Sequence, residues 1–169
     1  STHPCRVALA YVDKQFRFVA AGGFKMSSGS NSSLAYVANV GSRSVSVVDV
    51  TTTGATVARF ALDGAPNGIA LTPDGKRAYI TTRSLSEGAV VVLDTTTNTV
   101  TTTVGFADLF IAGLAVSPDG RFAYVTSSGN DKIIRVLDTT TNTVTAELAM
   151  DLSMGIAFSP DGKQAYATA

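Results

Sequence analysis

Short apolar runs end in turn residues and begin again at regular intervals along this chain. The densest stretch runs from Gly113 to Thr143. A near copy lies at Gly68 to Thr99, half a copy at Gly155 to Ala169 and a worn one at Leu34 to Val57. The first run of each copy alternates. Ile69 and Leu71, Leu114 and Val116, Ile156 and Phe158 fall on one face. Small Ala70, Ala115 and Ala157 fall on the other, where a neighbour must approach closely. Pro-Asp-Gly follows, beginning at Pro73, Pro118 and Pro160. Pro pre-sets φ, Asp bonds back to the backbone and Gly accepts positive φ, so the triplet is a tight turn. The second run is Arg77–Thr81 and Phe122–Thr126. The third, Val45–Val50, Val90–Asp94 and Ile133–Asp138, is apolar on both faces, as a strand between neighbouring sheets should be. Thr-Thr-Thr-Asn-Thr at 95–99 and 139–143 then reads as a turn into a fourth strand, Thr99–Val104 and Thr143–Leu148. No helical periodicity of useful length is present.

The copies superpose in register. The aspartate closing the third run recurs at Asp49, Asp94 and Asp138, spaced 45 and 44 residues, and the Pro-Asp-Gly turns are spaced 45 and 42. Four antiparallel strands per repeat of this length predict an all-β protein, a β-propeller built of four-stranded antiparallel blades. The blades divide as 34–63, 64–107, 108–151 and a partial 152–169, or about three and a half to four in all. Residues 1–33 fit the repeat poorly. Arg6–Val12 and Phe16–Ala21 read as strands, followed by a Gly/Ser-rich loop. The last blade stops after its second strand, which leaves three expectations. The chain is a fragment of a larger ring, or two copies share one ring, or the N-terminal strands complete the last blade.

Composition adds exclusions. The chain has 169 residues, with 13 basic residues balancing 13 acidic ones. No global charge therefore favours nucleic acid or an anionic membrane. Charged residues make up only 15% and apolar ones 45%, a folded composition. No apolar run approaches the roughly 20 residues that span a bilayer, so membrane insertion is not expected. Cys5 is the single cysteine, which rules out an intrachain disulfide and a cysteine-based zinc site.

The string Ser117-Pro118-Asp119-Gly120-Arg121-Phe122-Ala123-Tyr124-Val125-Thr126, with Val136-Leu137-Asp138-Thr139-Thr140-Thr141-Asn142-Thr143-Val144, resembles the YVTN β-propeller repeat. Tyr36-Val37-Ala38-Asn39, Tyr79-Ile80-Thr81-Thr82 and a degraded Tyr166-Ala167-Thr168-Ala169 repeat the motif. The resemblance covers residues 34–169. It implies a surface, secreted or periplasmic setting, since the family includes archaeal and bacterial surface and secreted proteins. Related propellers include lactonases. A shared fold does not transfer an activity.

Most candidate chemistry is absorbed by the turns. Asp74, Asp119 and Asp161 belong to Pro-Asp-Gly, and Asp94 and Asp138 sit where Thr hydroxyls or backbone N–H groups can bond them. His3 is the one histidine. Ser1-Thr2-His3 with a free amine could chelate Cu(II) or Ni(II) in a square plane, although a terminus with no metal is the plainer reading. With one His and one Cys, both within the first five residues, the repeats contain no hydrolytic triad and no usual zinc set. No catalytic residue and no cofactor are expected. The remaining candidates sit in the loops that vary between repeats, on the face where second-to-third and fourth-to-first strand loops gather. They are Arg43, Asn67, Arg83, Glu87, Asp108, Phe110, Asn130, Asp131 and Asp151. The first expectation is a non-enzymatic scaffold that binds a protein or glycan there. The first alternative is a lactonase-like hydrolase, with Asn67, Asp108 and Asp151 holding a divalent metal. The second is a partial module that functions only once assembled into a homo-oligomeric ring.

Overall fold

A computed structural model describes residues 6–10, 19–20, 34–49, 56–107, 110–127, 129, 132–150 and 154–168. They form fifteen strands and no helix. The first sheet holds β1 (Arg6–Ala10), β2 (Val19–Ala20), β3 (Leu34–Asn39), β4 (Ser44–Asp49) and β5 (Thr56–Ala61), in the order β2-β1-β3-β4-β5. The second is the meander β6 (Ala65–Leu71), β7 (Arg77–Arg83), β8 (Gly88–Asp94) and β9 (Thr99–Phe106). The third repeats it as β10 (Ile111–Val116), β11 (Phe122–Ser127), β12 (Ile133–Asp138) and β13 (Thr143–Ala149). The fourth contains β14 (Gly155–Phe158) and β15 (Ala165–Thr168). The chain builds the predicted all-β architecture: the second and third sheets are four-stranded antiparallel blades, while the first has five strands and the fourth two among the described residues.

The N-terminal strands depart from expectation. They join the first sheet, not the last, and β1 runs parallel to β3, with Arg6 opposite Leu34. Among the described residues no strand directly precedes β3 as the innermost of its repeat, and β1 lies beside both β3 and β6. The stretch between Ala10 and Leu34 is long enough for the return that a parallel pair requires.

Two apolar layers lie between the first three sheets. Tyr36, Val45 and Val47 of the first sheet meet Ile69, Ile80, Val91 and Leu93 of the second. Tyr79, Val90 and Val92 on the other side of the second sheet meet Leu114, Ala123, Val125 and Leu137 of the third. Strand β8 therefore feeds both layers by simple alternation, as its apolar sequence predicts. Ala70 lies in the second layer with Leu114, so the small residue makes room for the next blade's inner strand. Arg135 is the exception in β12. It is buried, its guanidinium lies 4.9 Å from the Phe106 ring centroid, and Nε is 3.3 Å from Glu147. Stacking on the ring with the carboxylate nearby makes a cation tolerable there.

The repeat motif has two structural tasks. Thr81 Oγ1 accepts a 2.7 Å bond from Gly68 N, and Thr126 Oγ1 does the same for Gly113 N at 2.7 Å. Both glycines sit where the inner strand shifts register, between Pro66 and Ile69 and between Ile111 and Leu114. The threonine thus satisfies an amide that the ladder leaves unpaired. Thr126→Val keeps shape and loses this bond. It is expected to cost about 1–2 kcal/mol, measurable by urea unfolding at an unchanged m-value.

The tyrosine spans blades. Tyr36 Oη lies 3.3 Å from both Thr95 O and Asn98 Oδ1, and Tyr79 Oη lies 3.3 Å from Thr139 O and 2.8 Å from Asn142 Oδ1. Each hydroxyl therefore reaches the Thr-rich turn of the following blade. Asn98 and Asn142 both have φ of 56°, a left-handed conformation asparagine tolerates, so one residue closes the turn and receives the preceding tyrosine. Burial pushes the Tyr79 phenol above its ordinary pKa, against the pull of Arg77. Tyr124 instead meets Phe158 edge to face at 4.9 Å, and Tyr166 is 62% exposed.

Candidate functional site

Strand direction sorts the connections onto two faces. The Pro-Asp-Gly and Thr-rich turns share one. Thr95 and Thr139 donate side-chain bonds to Gly75 O and Gly120 O within their own blades. The Pro73 ring lies against Gly120 of the next blade, whose φ is +76°. On this face each aspartate is engaged. Asp74 accepts from the Thr72 hydroxyl at 2.6 Å and Lys76 N at 3.0 Å, and Asp119 and Asp161 repeat the pattern with Ser117 and Ser159. Asp94 accepts from Thr96 and Thr97 amides, and Asp138 from Thr140 and Thr141.

These bonds lower the carboxylate pKa values. The Thr96 hydroxyl and then the turn amides act on Asp94, the Ser117 hydroxyl on Asp119, the Thr140 amide on Asp138 and the Ser159 hydroxyl on Asp161. At Asp74 burial pushes upward, but the Thr72 and Lys76 bonds and the nearby cations outweigh it. Folded values below the reference of 3.8 mean the associated stability is present above that pH and is lost as pH falls through the folded values. The melting temperature is expected to change little between about pH 7 and 5 and to fall below about pH 4. Melting curves in a buffer series check this. An acid limb beginning near pH 6 would contradict it.

The opposite face is built from the variable loops. The Leu62 amide bonds Arg43 O at 2.7 Å, and the Met150 amide bonds Lys132 O at 2.9 Å. Each bond ties a fourth-to-first loop to the second-to-third loop of its own blade. Arg43 and Lys132 hold φ of 46° and 47°, so both backbones turn sharply to carry exposed cations at matching places.

The candidate residues fare differently. Arg43, Arg83 and Glu87 are exposed on this face, and their side chains have no bonding partner among the described residues. Phe110 is 53% exposed just before β10. Asn67 has a structural role: its amide Nδ2 reaches Ile111 O at 3.3 Å and Ala112 O at 3.5 Å, bridging adjacent inner strands. Asp108, Asn130, Asp131, Asp151 and His3 lie outside the described residues. Among the described residues no three His, Cys, Asp or Glu side chains gather as a metal site would require.

A groove that sequence reasoning did not find opens where the first and second blades meet. It encloses about 240 Å³ and takes Leu62, Asp63 and Gly64 from one loop, Ser84 and Glu87 from the next, and Thr82, Val91 and Val100 from the strands of the blade wall. Ser84 organises the loop rim: its hydroxyl receives the Glu87 amide at 3.1 Å, and its own amide bonds Glu87 O at 2.8 Å. Leu85, at the tip of that loop, is 95% exposed.

No family model matches the sequence, and no curated protein matches it. Solved structures do. The chain is similar to Kuenenia stuttgartiensis hydrazine synthase, with 28% identity and a TM-score of 0.67 over 78% of this chain and 37% of that one. It is also similar to U3-55K, with 17% identity and a TM-score of 0.63 over 72% of this chain and 38% of that one. The chain thus spans little more than a third of either. Successive antiparallel sheets joined through their inner strands, and these likenesses, make the fold a β-propeller.

Proposed function

We propose that this chain is a non-enzymatic β-propeller scaffold of YVTN type that binds a protein or glycan through its loop face, at the cell surface or in a secreted setting. The observation that carries the reading is the contrast between the two faces. The aspartates of the turn face are engaged in their own turns. The side chains of Arg43, Arg83 and Glu87 on the loop face are exposed and have no bonding partner among the described residues. Polar side chains free of structural duty on rigidly held loops are what a binding surface needs. The family assignment is supported by the repeated Tyr and Thr tasks, and the setting follows from that assignment. Biolayer interferometry against glycan and extracellular-protein panels tests the reading. Binding by the native chain, weakened at least about tenfold in an Arg43→Ala/Arg83→Ala variant of unchanged melting temperature, is the expected result. Binding indifferent to both arginines would overturn it.

A second reading, a ring completed by another copy, is supported by the fourth sheet. Tyr36 and Tyr79 are fully buried against the next blade, whereas Tyr166 at the matching place is 62% exposed. A further blade would cover it. Light scattering is expected to give a dimer mass. A monomer that binds no apolar dye would count against this reading.

A further inference from the structure

We infer that the groove between the first two blades receives an arginine or lysine side chain from a protein partner. The inference rests on the scaffold reading and names the partner chemistry for that face. Its volume, about 240 Å³, lies below the range of pockets that enclose whole small ligands, so it suits a single inserted side chain. Leu62 and Val91 are buried at the groove and Val100 is half-exposed beside them, an aliphatic lining for a methylene stem. Asp63 and Glu87 line it as well, both exposed, and neither carboxylate has a hydrogen bond or ion pair among the described residues. Arg43 and Arg83 share the face but do not line the groove. The complement of an aliphatic channel with two free carboxylates is a side chain with an apolar stem and a cationic end.

Two features favour a protein over a glycan. At Leu62, Val91 and Val100 a sugar's hydroxyls would find no partner, whereas a methylene stem buries against them. Leu85 projects from the loop whose Ser84 and Glu87 line the groove, and at 95% exposure it offers an apolar contact beside the entry. Exposed leucine beside an anionic slot matches a basic residue with an apolar neighbour.

The probe is a set of fluorescein-labelled heptapeptides of alanine and glycine around a central Arg-Leu, citrulline-Leu or Glu-Leu pair. Their binding is read by fluorescence anisotropy at low and at physiological salt. The arginine peptide is expected to bind at least about tenfold more tightly than the citrulline peptide, with the preference shrinking as salt rises. Asp63→Asn/Glu87→Gln is expected to erase the preference at an unchanged melting temperature, and Leu85→Ala to weaken the arginine peptide several-fold. Equal binding of arginine and citrulline peptides, or no binding of either, overturns the inference. So does self-association abolished by Asp63→Asn/Glu87→Gln, which would seat a second copy in the groove. A glycan or protein that binds through Arg43 and Arg83 but ignores Asp63→Asn/Glu87→Gln overturns the groove and leaves the scaffold reading standing. Absence of any binding to glycan and protein panels overturns both.

Discussion

Replacing Gly113 by alanine is expected to destabilise the chain by about 3 kcal/mol, the upper part of the range for forcing extra atoms into a packed core. A Cβ there would sit 2.8 Å from Met154 O, 2.9 Å from Thr126 Oγ1 and 3.0 Å from Gly155 Cα. Two of the three obstacles are backbone at the entry and first residue of the following blade's inner strand, which cannot rotate away. The third is the hydroxyl that holds Gly113 N, so relief in that direction costs a buried hydrogen bond. The substitution pushes adjacent inner strands apart and acts on the contact between blades as well as within one. Gly41→Ala is the control, because a Cβ there meets nothing within 4 Å. Urea unfolding of both variants checks this. A Gly113→Ala chain within about 0.5 kcal/mol of the parent would show that the inner strands are not packed this closely.

Removing the Tyr79 ring is the second large effect. Tyr79 is fully buried, packs in the second apolar layer and reaches the Thr139 carbonyl and Asn142 of the next blade. Tyr79→Ala is expected to cost about 4 kcal/mol from lost burial and the cavity left behind. Tyr79→Phe retains the ring and loses only the hydroxyl, at a cost of about 1 kcal/mol. Tyr166 occupies the same motif position but is 62% exposed, with its hydroxyl on Gln164 of its own blade. Tyr166→Ala is expected to change stability by less than about 0.5 kcal/mol. Three chemical denaturation curves measure the series. Equal costs at positions 79 and 166 would mean the tyrosine acts through its own strand and not through the next blade.

Much of this architecture was legible because it is local and repeated. Pro-Asp-Gly names its turn, alternation names the faces of β6 and β10, and the double-sided apolarity of β8 names its place between two layers. What the repeat concealed was duty shared across blades. Asn98 and Asn142 read as turn residues, and nothing in their own segments shows that they receive a tyrosine some sixty residues earlier. The pairing of β1 was hidden for a different reason. A strand's partner depends on which sheet edge is open, and β1 pairs with β3 at the inner edge of the first sheet, across a gap of more than twenty residues. Arg135 in a buried strand contradicts the apolar pattern until Phe106 and Glu147 are seen around it.

The loop face was only half legible. Variation between copies pointed to Arg43, Arg83 and Glu87, whose side chains stand exposed on the loop face. It also pointed to Asn67, whose amide instead ties inner strands together. The groove escaped because its lining comes from residues 61–64, 82–91 and 100–103, segments that approach only when one blade packs against the next. Asp63 and Glu87 belong to different loops, and sequence spacing alone does not bring them together.

The loop face, and not the turn face, is expected to meet the partner. The direct measurement is amide chemical-shift mapping of the isotopically labelled chain during titration with the arginine heptapeptide. Perturbations are predicted at residues 61–64, 82–89 and 99–103, with the Pro-Asp-Gly and Thr-rich turns unchanged. Shifts confined to those turns, or none at saturating peptide, would contradict it.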